Sequence, residues 1–330
     1  MNHRIKVGVL RGGPSSEHAI SMETGKAVLE ALRADPELGY DARDIFIDKD
    51  GTWHVNGLPF EPADAHHHMD VAFNALHGAY GEDGKVQSIL EAHGMPFTGS
   101  GSLASAIGMN KILAKQVLTA HGVKSPYWKE IPSQDIQDDP VAAARDLFMT
   151  FLMPAVIKPA SAGSSVGVAI VRKHADIAPA LIEAARHGHA VLVEELIPGI
   201  ETTCGVIEGF RGQELYALPP VEIRTHNGFF DYEAKYQGKS EEIVPATFPA
   251  KLKKEIEELA IKVHSLLGLR HYSRTDFIIH PRRGIYVLEA NTLPGLTQES
   301  LVPKALRAVG SSLTELADHL VQLALAIDKR

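Results

Sequence analysis

Apolar positions over residues 1–100 alternate between strand-like runs and helix-like spacing. The run IKVGVL is followed by two glycines and then by SMETGKAVLEALRA, where Val28, Leu29 and Leu32 recur at helical spacing. DVAFNALHG and VQSILEAHG repeat this order. Alternation of strands and helices is typical of a parallel sheet covered by helices. The pattern therefore predicts a doubly wound, parallel-sheet α/β domain over residues 1–100.

The rest of the chain predicts two α+β units. SLASAIGMNKILAKQVLTAHG predicts a helix, AVIKPA and VGVAIVRK predict two strands around a Gly/Ser loop, and DIAPALIEAARHG predicts another helix. After AVLVEELI come further strand-like runs, the helix AKLKKEIEELAIKVHSLLGL and the final helix SLTELADHLVQLALAI. We expect a small central domain over residues 101–193 and a C-terminal domain over residues 194–330.

Composition limits the classes of partner. The chain has 330 residues, 45% of them hydrophobic, which is enough for a large core in two or three domains. A formal net charge of -8, without runs of Lys and Arg, argues against a nucleic-acid or anionic-membrane surface. Small anionic ligands remain compatible with this charge.

Cysteine content and hydropathy indicate the compartment. Cys204 is the one cysteine, which excludes an intramolecular disulfide and fits a reducing compartment. No apolar run approaches the roughly 20 residues that span a bilayer, and the N-terminus carries no apolar signal segment. We expect an unprocessed, soluble, cytoplasmic protein.

The segment SRTDFIIHPRRGIYVLEANT predicts a β-hairpin with polar residues on one face. If the turn centres between the two arginines of Pro-Arg-Arg-Gly, Asp276 faces Glu289 and Arg274 faces Asn291. Carboxylate and amide oxygens suit Mg²⁺. A solvated edge strand is the alternative, but it would leave two carboxylates opposed without benefit.

A phosphate-binding loop is the second candidate feature. The chain has no GxxxxGK[ST], and GSGSLA lacks the acidic residue that a dinucleotide site needs about 20 positions later. IKPASAGSSVGV instead combines Lys158 with small residues and hydroxyls, which would let backbone N–H groups approach an anion. A flexible hairpin tip is the alternative interpretation.

Eight motifs in order resemble the D-alanine–D-alanine ligases of the ATP-grasp superfamily across nearly the whole chain. They are GGPSSEHAIS, HGAYGEDG, TGSGSLASAIGMNK, VIKPASAGSSVGV, EELIPGIE, FDYEAKY, RTDF and LEANTLPGLTQESLVP. The resemblance implies a three-domain ATP-grasp architecture, α/β and α+β, with ATP bound between the central and C-terminal domains.

The resemblance also implies site residues, in four groups. Those at the ATP phosphates are Lys111, Lys158, Ser164, Ser165 and Lys235. Those at the nucleoside are Glu194 for the adenine amino group, Ile197 through its backbone and Glu201 for the ribose. Ligands for two Mg²⁺ ions, with Mn²⁺ as an alternative metal, are Asp276, Glu289 and Asn291. Those at the D-alanines and the tetrahedral intermediate are Glu17, Ser164, Tyr236, Arg274, the backbone of Gly295, Ser300 and Leu301.

The implied activity is ATP-dependent ligation of two D-alanines through a D-alanyl phosphate, for peptidoglycan precursor synthesis, by a homodimer. One alternative is a related ligase that uses another amino acid or D-lactate, and a second is a nucleotide-binding regulator without catalysis. Departures from the commonest family sequences occur at Asn110, Ala162, Glu195, Gln298 and Glu299. Tyr236, where D-lactate-using relatives often carry phenylalanine, favours an amine acceptor.

Overall fold

Three β-sheets follow one another along the chain in the computed structural model, which describes residues 4–161, 163, 166–225 and 240–327. The strands are β1 (Ile5–Gly12), β2 (Tyr40–Ile47), β3 (Trp53–Val55), β4 (Leu58–Phe60), β5 (Val71–Asn74), β6 (Trp128–Pro132), β7 (Ala155–Pro159), β8 (Ala169–Val171), β9 (Ala190–Glu195), β10 (Ile200–Glu208), β11 (Leu215–Ala217), β12 (Val221–Thr225), β13 (Ser240–Ile243), β14 (Tyr272–His280) and β15 (Gly284–Asn291). The α-helices are α1 (His18–Ala34), α2 (Ala65–His68), α3 (Lys85–Ala92), α4 (Ser102–Met109), α5 (Lys111–Ala120), α6 (Ser133–Asp138), α7 (Pro140–Thr150), α8 (His174–Ala185), α9 (Ala250–Leu266), α10 (Leu301–Ala308) and α11 (Leu313–Ile327).

The first sheet has the order β4-β3-β2-β1-β5. β1 pairs in parallel with both β2 and β5, as the strand and helix alternation predicts. The sheet also carries an antiparallel edge hairpin, β3 and β4, which the apolar pattern did not indicate. Each of these strands has only three residues, too few for a clear alternation.

The helix predicted from SLASAIGMNKILAKQVLTAHG is two helices, so that prediction was wrong at its centre. Asn110 leaves helical geometry at φ -88° and ψ 101°, and its Oδ1 accepts hydrogen bonds from the backbone N–H groups of Ile112 and Leu113. An asparagine in this position is a good N-cap. Lys111 is therefore the first residue of α5.

The second sheet, in the order β6-β9-β7-β8, has an apolar face and a charged face. Ile157 and Val193 point toward α6, α7 and α8 and belong to their buried apolar cluster. Since side chains alternate along a strand, Lys158 and Glu194 point the other way, toward α5. Both side chains are nevertheless buried.

The third sheet has the order β13-β12-β10-β14-β15, with β11 paired to β10. Cys204 and Phe277 face α9 and pack against its buried residue Ile256. Burial raises the pKa of the Cys204 thiol well above its ordinary value. Thr203 and Asp276, neighbours of these core residues, pair across β10 and β14 and point to the opposite face.

One apolar cluster joins the beginning and end of the chain. Val7 and Phe73 of the first sheet, Leu32 of α1, and Leu316 and Leu320 of α11 are all buried in it. The last helix thus covers a sheet formed more than two hundred residues earlier. None of the described helices combines the length and apolar character needed to cross a membrane.

Leu320→Ala tests this cluster. Leu320 is fully buried, so the substitution should lower the free energy of unfolding by about 3 kcal/mol through lost burial and a cavity. Urea unfolding followed by circular dichroism gives the value. Leu152→Ala is the matched control, because Leu152 is 84% exposed and its loss should change stability by less than about 0.5 kcal/mol. Equal effects would contradict the assignment of Leu320 to the core.

Candidate active site

The β14–β15 hairpin brings four polar residues to one face. Arg274 pairs with Asn291, and Asp276 pairs with Glu289, which confirms the predicted pairing. Within each strand the two residues are two positions apart, and residues paired across the strands face the same way, so all four side chains share one side of the sheet. The two carboxylates therefore lie opposite each other beside a guanidinium.

A β-bulge is needed for this register. Beyond Asp276, Phe277 pairs with Val287, so Leu288 is an extra residue on β15. The turn is accordingly centred half a residue from the predicted position, and the bulge restores the predicted pairs near the site. Leu288 packs against an apolar group that includes Ile197.

Arg274 and Asp276 form a two-point ion pair. Arg274 Nε donates to Asp276 Oδ1 at 2.8 Å and Arg274 Nη2 donates to Oδ2 at 2.9 Å. Thr203 Oγ1 donates to Asp276 Oδ1 at 2.7 Å. Burial alone would lower the pKa of Arg274, but Asp276 and Glu289 raise it above its ordinary value. Arg274 is therefore a permanent, oriented cation.

The donor set fits a hard divalent cation. Asp276, Glu289 and Asn291 offer oxygens only, and Asn291 Oδ1 is fixed by accepting from the Leu293 N–H at 3.0 Å. Within the described ranges, no group of three or more His, Cys, Asp or Glu is placed to hold a metal. Two carboxylates and an amide leave coordination positions for phosphate oxygens and water, which is how Mg²⁺ is commonly bound at nucleotides.

Helix α5 brings a lysine to each of two carboxylates. Lys111 Nζ lies 3.4 Å from Glu289 Oε2, and Lys115 Nζ lies 2.5 Å from Glu194 Oε1. The two lysines are one helical turn apart and share a face. The Lys111 N–H donates to the carbonyl of Ala160, which fixes the start of the helix to the second sheet.

Glu194 is shared by two lysines. Its Oε2 lies 2.5 Å from Lys158 Nζ, while Oε1 contacts Lys115. Burial alone would raise the pKa of Glu194, but the lysines hold it below its ordinary value. Burial opposes the charge of Lys158 as well, yet Glu194 and Glu289 raise the pKa of this lysine overall.

Lys115 was absent from the residues predicted for the site. A signal for it exists in the sequence, because Lys115 occupies the same helical stripe as the buried residues Ala114 and Leu118. A lysine in an apolar stripe requires a buried carboxylate partner. The location of that partner, Glu194, 79 positions later in the chain, was not visible from spacing.

Two adjoining cavities contain every described residue predicted for the site. The first, called the nucleotide cavity after the ligand that the family resemblance implies, includes Lys158, Glu194, Ile197, Glu201 and Asp276. The second, called the substrate cavity on the same ground, includes Glu17, Asn291, Gly295 and Ser300. Both cavities are lined by Lys111, Arg274, Glu289 and Leu301. A molecule in one cavity would therefore meet a molecule in the other beside two cations.

Glu17 lies directly before α1, in the substrate cavity. A Cβ added to Gly78 would lie 2.5 Å from Glu17 Oε2, and a Cβ added to Gly163 would lie 2.8 Å from the same atom. Gly163 belongs to the Gly/Ser loop after Lys158. A side chain at either glycine would displace the Glu17 carboxylate, so the two glycines let the backbone lie close to it.

Two residues outside the predicted set also line the substrate cavity, His77 and Glu82. His77 is buried, with Nε2 2.8 Å from Thr24 Oγ1 and Nδ1 3.5 Å from Glu82 Oε1. The Gly78 N–H donates to Glu82 Oε1 at 2.9 Å. These contacts hold His77 in one orientation beside the cavity.

The far side of the substrate cavity is the start of α10. Ser300 is the N-cap of this helix, and its side chain makes no capping hydrogen bond. Ser300 Oγ instead lies 2.8 Å from Thr297 Oγ1. Gly295 is close as well, since a Cβ there would lie 2.9 Å from Ser300 Oγ. Free N–H groups at a helix N-terminus attract anions such as carboxylates.

Two departures from the common family sequences have local partners. Arg283 Nη1 donates to Glu195 Oε1 at 2.6 Å, so this carboxylate is paired with the hairpin turn. Lys304 Nζ lies 2.9 Å from Glu299 Oε2, and the Glu299 side chain is 87% exposed. Both are surface ion pairs at cavity rims. Ala162 and the predicted site residues Ser164, Ser165, Lys235 and Tyr236 lie outside the described residues, and their roles stay predictions.

Comparison with known proteins agrees with these motifs. The family model for the D-ala D-ala ligase C-terminus matches residues 117–322, and that for the N-terminus matches residues 6–65 and 57–100. The D-alanine–D-alanine ligase of Geotalea uraniireducens is 40% identical over 320 residues, covering 97% of this chain and 95% of the relative. That of Desulforamulus reducens is 39% identical over 324 residues, covering 97% and 99%.

Solved structures show the same architecture. The D-alanine-D-alanine ligase from Coxiella burnetii has a TM-score of 0.83 at 26% identity, covering 99% of this chain and 96% of that one. The VanG D-Ala:D-Ser ligase from Enterococcus faecalis has a TM-score of 0.85 at 30% identity, covering 97% and 99%. The three sheets form an ATP-grasp architecture. The chain belongs to the D-alanine–D-alanine ligase family.

Arg274→Met tests the ion pair at the centre of the site. Removing the guanidinium leaves the Asp276 carboxylate facing Glu289 without its cation. We expect a loss of about 2 kcal/mol in unfolding free energy, below the roughly 3–5 kcal/mol of a fully buried pair, because both side chains keep some exposure. Urea unfolding of the ligand-free protein measures it. Lys129→Met, which breaks the exposed Lys129–Asp146 pair, should cost less than about 1 kcal/mol. An unchanged midpoint for Arg274→Met would contradict the pairing.

Proposed function

We propose that this protein joins two D-alanine molecules into D-alanyl-D-alanine, using ATP and forming ADP and phosphate. The observation that carries this proposal is the meeting of the two cavities at Lys111, Arg274 and Glu289. A nucleotide in one cavity and two small zwitterions in the other would place a phosphoryl group beside a carboxylate. The family relationship supports the same reaction.

ATP would occupy the nucleotide cavity. Its adenine would rest on the apolar group that includes Ile197 and Leu288, with backbone hydrogen bonds at Ile197. Glu194, held ionised by its lysines, is an acceptor suited to the adenine amino group. Glu201 lines the same cavity and would accept a hydrogen bond from the ribose. Lys111 and Lys158 would turn to the phosphates.

In our proposal, Asp276, Glu289 and Asn291 would together hold two Mg²⁺ ions. Bound there, it would neutralise charge on the phosphates and polarise the transferred phosphoryl group. The protein prepares the site by fixing Asp276 through Arg274 and Thr203. Carboxylates already oriented by hydrogen bonds need little rearrangement on binding.

The two D-alanines would lie in the substrate cavity. Glu17 would accept the ammonium of the first, beside the Gly/Ser loop. The N-terminus of α10, at Ser300 and Leu301, would accept the carboxylate of the second. Arg274 and the Gly295 N–H would then face the developing oxyanion, donating to charge that grows in the transition state.

A carboxylate is too weak an electrophile to react directly with an amine, so it must first be activated. An oxygen of the first carboxylate attacks the γ-phosphorus of ATP, the bond to ADP breaks, and D-alanyl phosphate forms. The amine of the second D-alanine, after losing a proton, attacks the acyl carbon. Collapse of the tetrahedral intermediate breaks the carbon–oxygen bond to phosphate and leaves the dipeptide. Water would have to be excluded from the joined cavities at this stage, because it would hydrolyse the acyl phosphate.

The cellular setting is part of the proposal. The dipeptide would enter peptidoglycan precursor synthesis, and a cytoplasmic homodimer remains our expectation. An enzyme with another acceptor is the alternative, and the D-Ala:D-Ser specificity of the VanG ligase makes D-serine the relevant competitor to test.

Incubation with ATP, Mg²⁺ and D-alanine tests the reaction. Phosphate release and product mass should give equal amounts of phosphate and D-alanyl-D-alanine, dependent on D-alanine. Parallel reactions with D-alanine plus D-serine or D-lactate distinguish the acceptors. Binding of ATP without any ligated product would contradict the proposal and favour a regulatory nucleotide-binding protein.

Asp276→Ala should remove activity without removing the fold. Loss of a proposed metal ligand at the transferred phosphoryl group should lower kcat by about 10²-fold or more. Dipeptide formation and far-ultraviolet circular dichroism are measured together. Asp146→Ala is the control, because Asp146 is exposed and lines neither cavity. Wild-type turnover in Asp276→Ala would refute the metal assignment.

A further inference from the structure

The Lys115–Glu194 pair is the most deeply buried ion pair described. The exposed fraction is 2% for the Lys115 side chain and 3% for that of Glu194. Among the described residues, neither Lys115 Nζ nor Glu194 Oε1 has a further hydrogen-bond partner. Taking two charges out of water costs several kcal/mol unless each compensates the other. Because of this cost, we expect the buried Lys115–Glu194 pair to have a role in the function of the site.

Glu194 has two lysines where one would neutralise it. Lys158 contacts Oε2 and Lys115 contacts Oε1, each at 2.5 Å. Burial lowers the pKa of Lys115, and Glu194 offsets only part of this because it is shared and Lys158 repels Lys115. The arrangement carries one excess positive charge that an anionic ligand could use.

The two lysines differ in what they can reach. Lys158 borders the nucleotide cavity, whereas Lys115 does not. Lys158 also lies at the end of β7, directly before the Gly/Ser loop, while Lys115 is held inside α5. Only Lys158 can therefore turn toward a bound phosphate. When it does, the buried Glu194 carboxylate loses one of its two cations.

We propose that Lys115 is a positioning residue that stays on Glu194 when Lys158 moves to ATP. It keeps the buried carboxylate paired, ionised and aimed at the adenine while Lys158 compensates phosphate charge. Departure of Lys158 also relieves the repulsion between the lysines, so the Lys115–Glu194 attraction strengthens. This inference rests on the proposed function for the site of ATP binding, but not on the identity of the amino acids that are joined.

The position of Lys115 on α5 also connects Glu194 with Glu289 through one helix. Lys111, one turn earlier, contacts Glu289 of the β14–β15 hairpin. A rigid helical turn thus sets the distance between the carboxylate at the adenine end and the carboxylate at the phosphate end. Lys115 fixes one end of this spacing without touching the nucleotide itself.

Lys115→Met tests the role, because methionine keeps length and apolar contact but removes the charge. Without ligand, Glu194 remains paired with Lys158. When ATP binds to this variant, Lys158 can either leave Glu194 without a cation or stay paired with Glu194 and make no contact with the phosphates. We expect the Kd for ATP, measured by calorimetry, to rise about tenfold or more, which is about 1.4 kcal/mol. The Kd for adenosine, which has no phosphate to attract Lys158, should change less than about threefold.

The controls separate positioning from a structural role. Lys129→Met makes the same change in an exposed pair and should leave both Kd values within about twofold. An equal loss of affinity for ATP and adenosine in Lys115→Met would indicate general damage to the cavity and overturn the proposal. An unchanged ATP affinity would overturn it as well.

A second variant keeps the test decisive if Lys115→Met does not fold. Lys115→Met combined with Glu194→Gln removes both charges of the Lys115–Glu194 pair, so neither is left buried without its partner, and the variant should fold. It should bind ATP within about threefold of Glu194→Gln alone, whereas a tenfold weaker affinity would overturn the proposal. Dipeptide synthesis by the wild-type protein is scored separately. ATP binding that depends on Lys115 in a protein that makes no dipeptide would refute the proposed function and leave this inference standing.

Discussion

The register between β14 and β15 is the constraint on which the site depends. A slip of one residue would turn Arg274 and Asp276, or Glu289 and Asn291, to the opposite face of the sheet. The bulge at Leu288 sets this register at the site end of the hairpin, although the turn alone would give a different one. Metal ligands and oxyanion donor, as we propose them, are therefore one structural unit.

Charge compensation connects this unit to the rest of the molecule. Three carboxylates that line the cavities are each paired with a cation: Asp276 with Arg274 of the same strand, Glu289 with Lys111 of α5, and Glu194 with lysines from β7 and α5. The cations are the groups that a triphosphate and an oxyanion need. These pairs hold the cations in place, and in our proposal a bound ligand would replace the carboxylates as their anionic partners.

The sequence predicted those features that depend on local pattern. The strand alternation and an assumed turn predicted the pairing of Asp276 with Glu289, but the pair forms because the bulge at Leu288 offsets a turn centred half a residue away from the predicted position. The helix break at Asn110 was missed, since an apolar periodicity continues through it and only the cap geometry interrupts it. Lys115 was missed because its partner lies on a distant strand. Proximity of residues far apart in sequence depends on how the three sheets assemble, and apolar spacing does not encode that assembly.

An ¹⁸O-labelling experiment tests most directly the central claim that the reaction passes through an acyl phosphate. In the proposed reaction, the carboxylate of the first D-alanine lies beside the transferred phosphoryl group, so one carboxylate oxygen becomes the bridging oxygen of the acyl phosphate. With D-alanine labelled by ¹⁸O in its carboxylate, mass spectrometry of the released phosphate should show one ¹⁸O atom per phosphate. Unlabelled phosphate formed together with the dipeptide would contradict the acyl phosphate and the geometry argued for it.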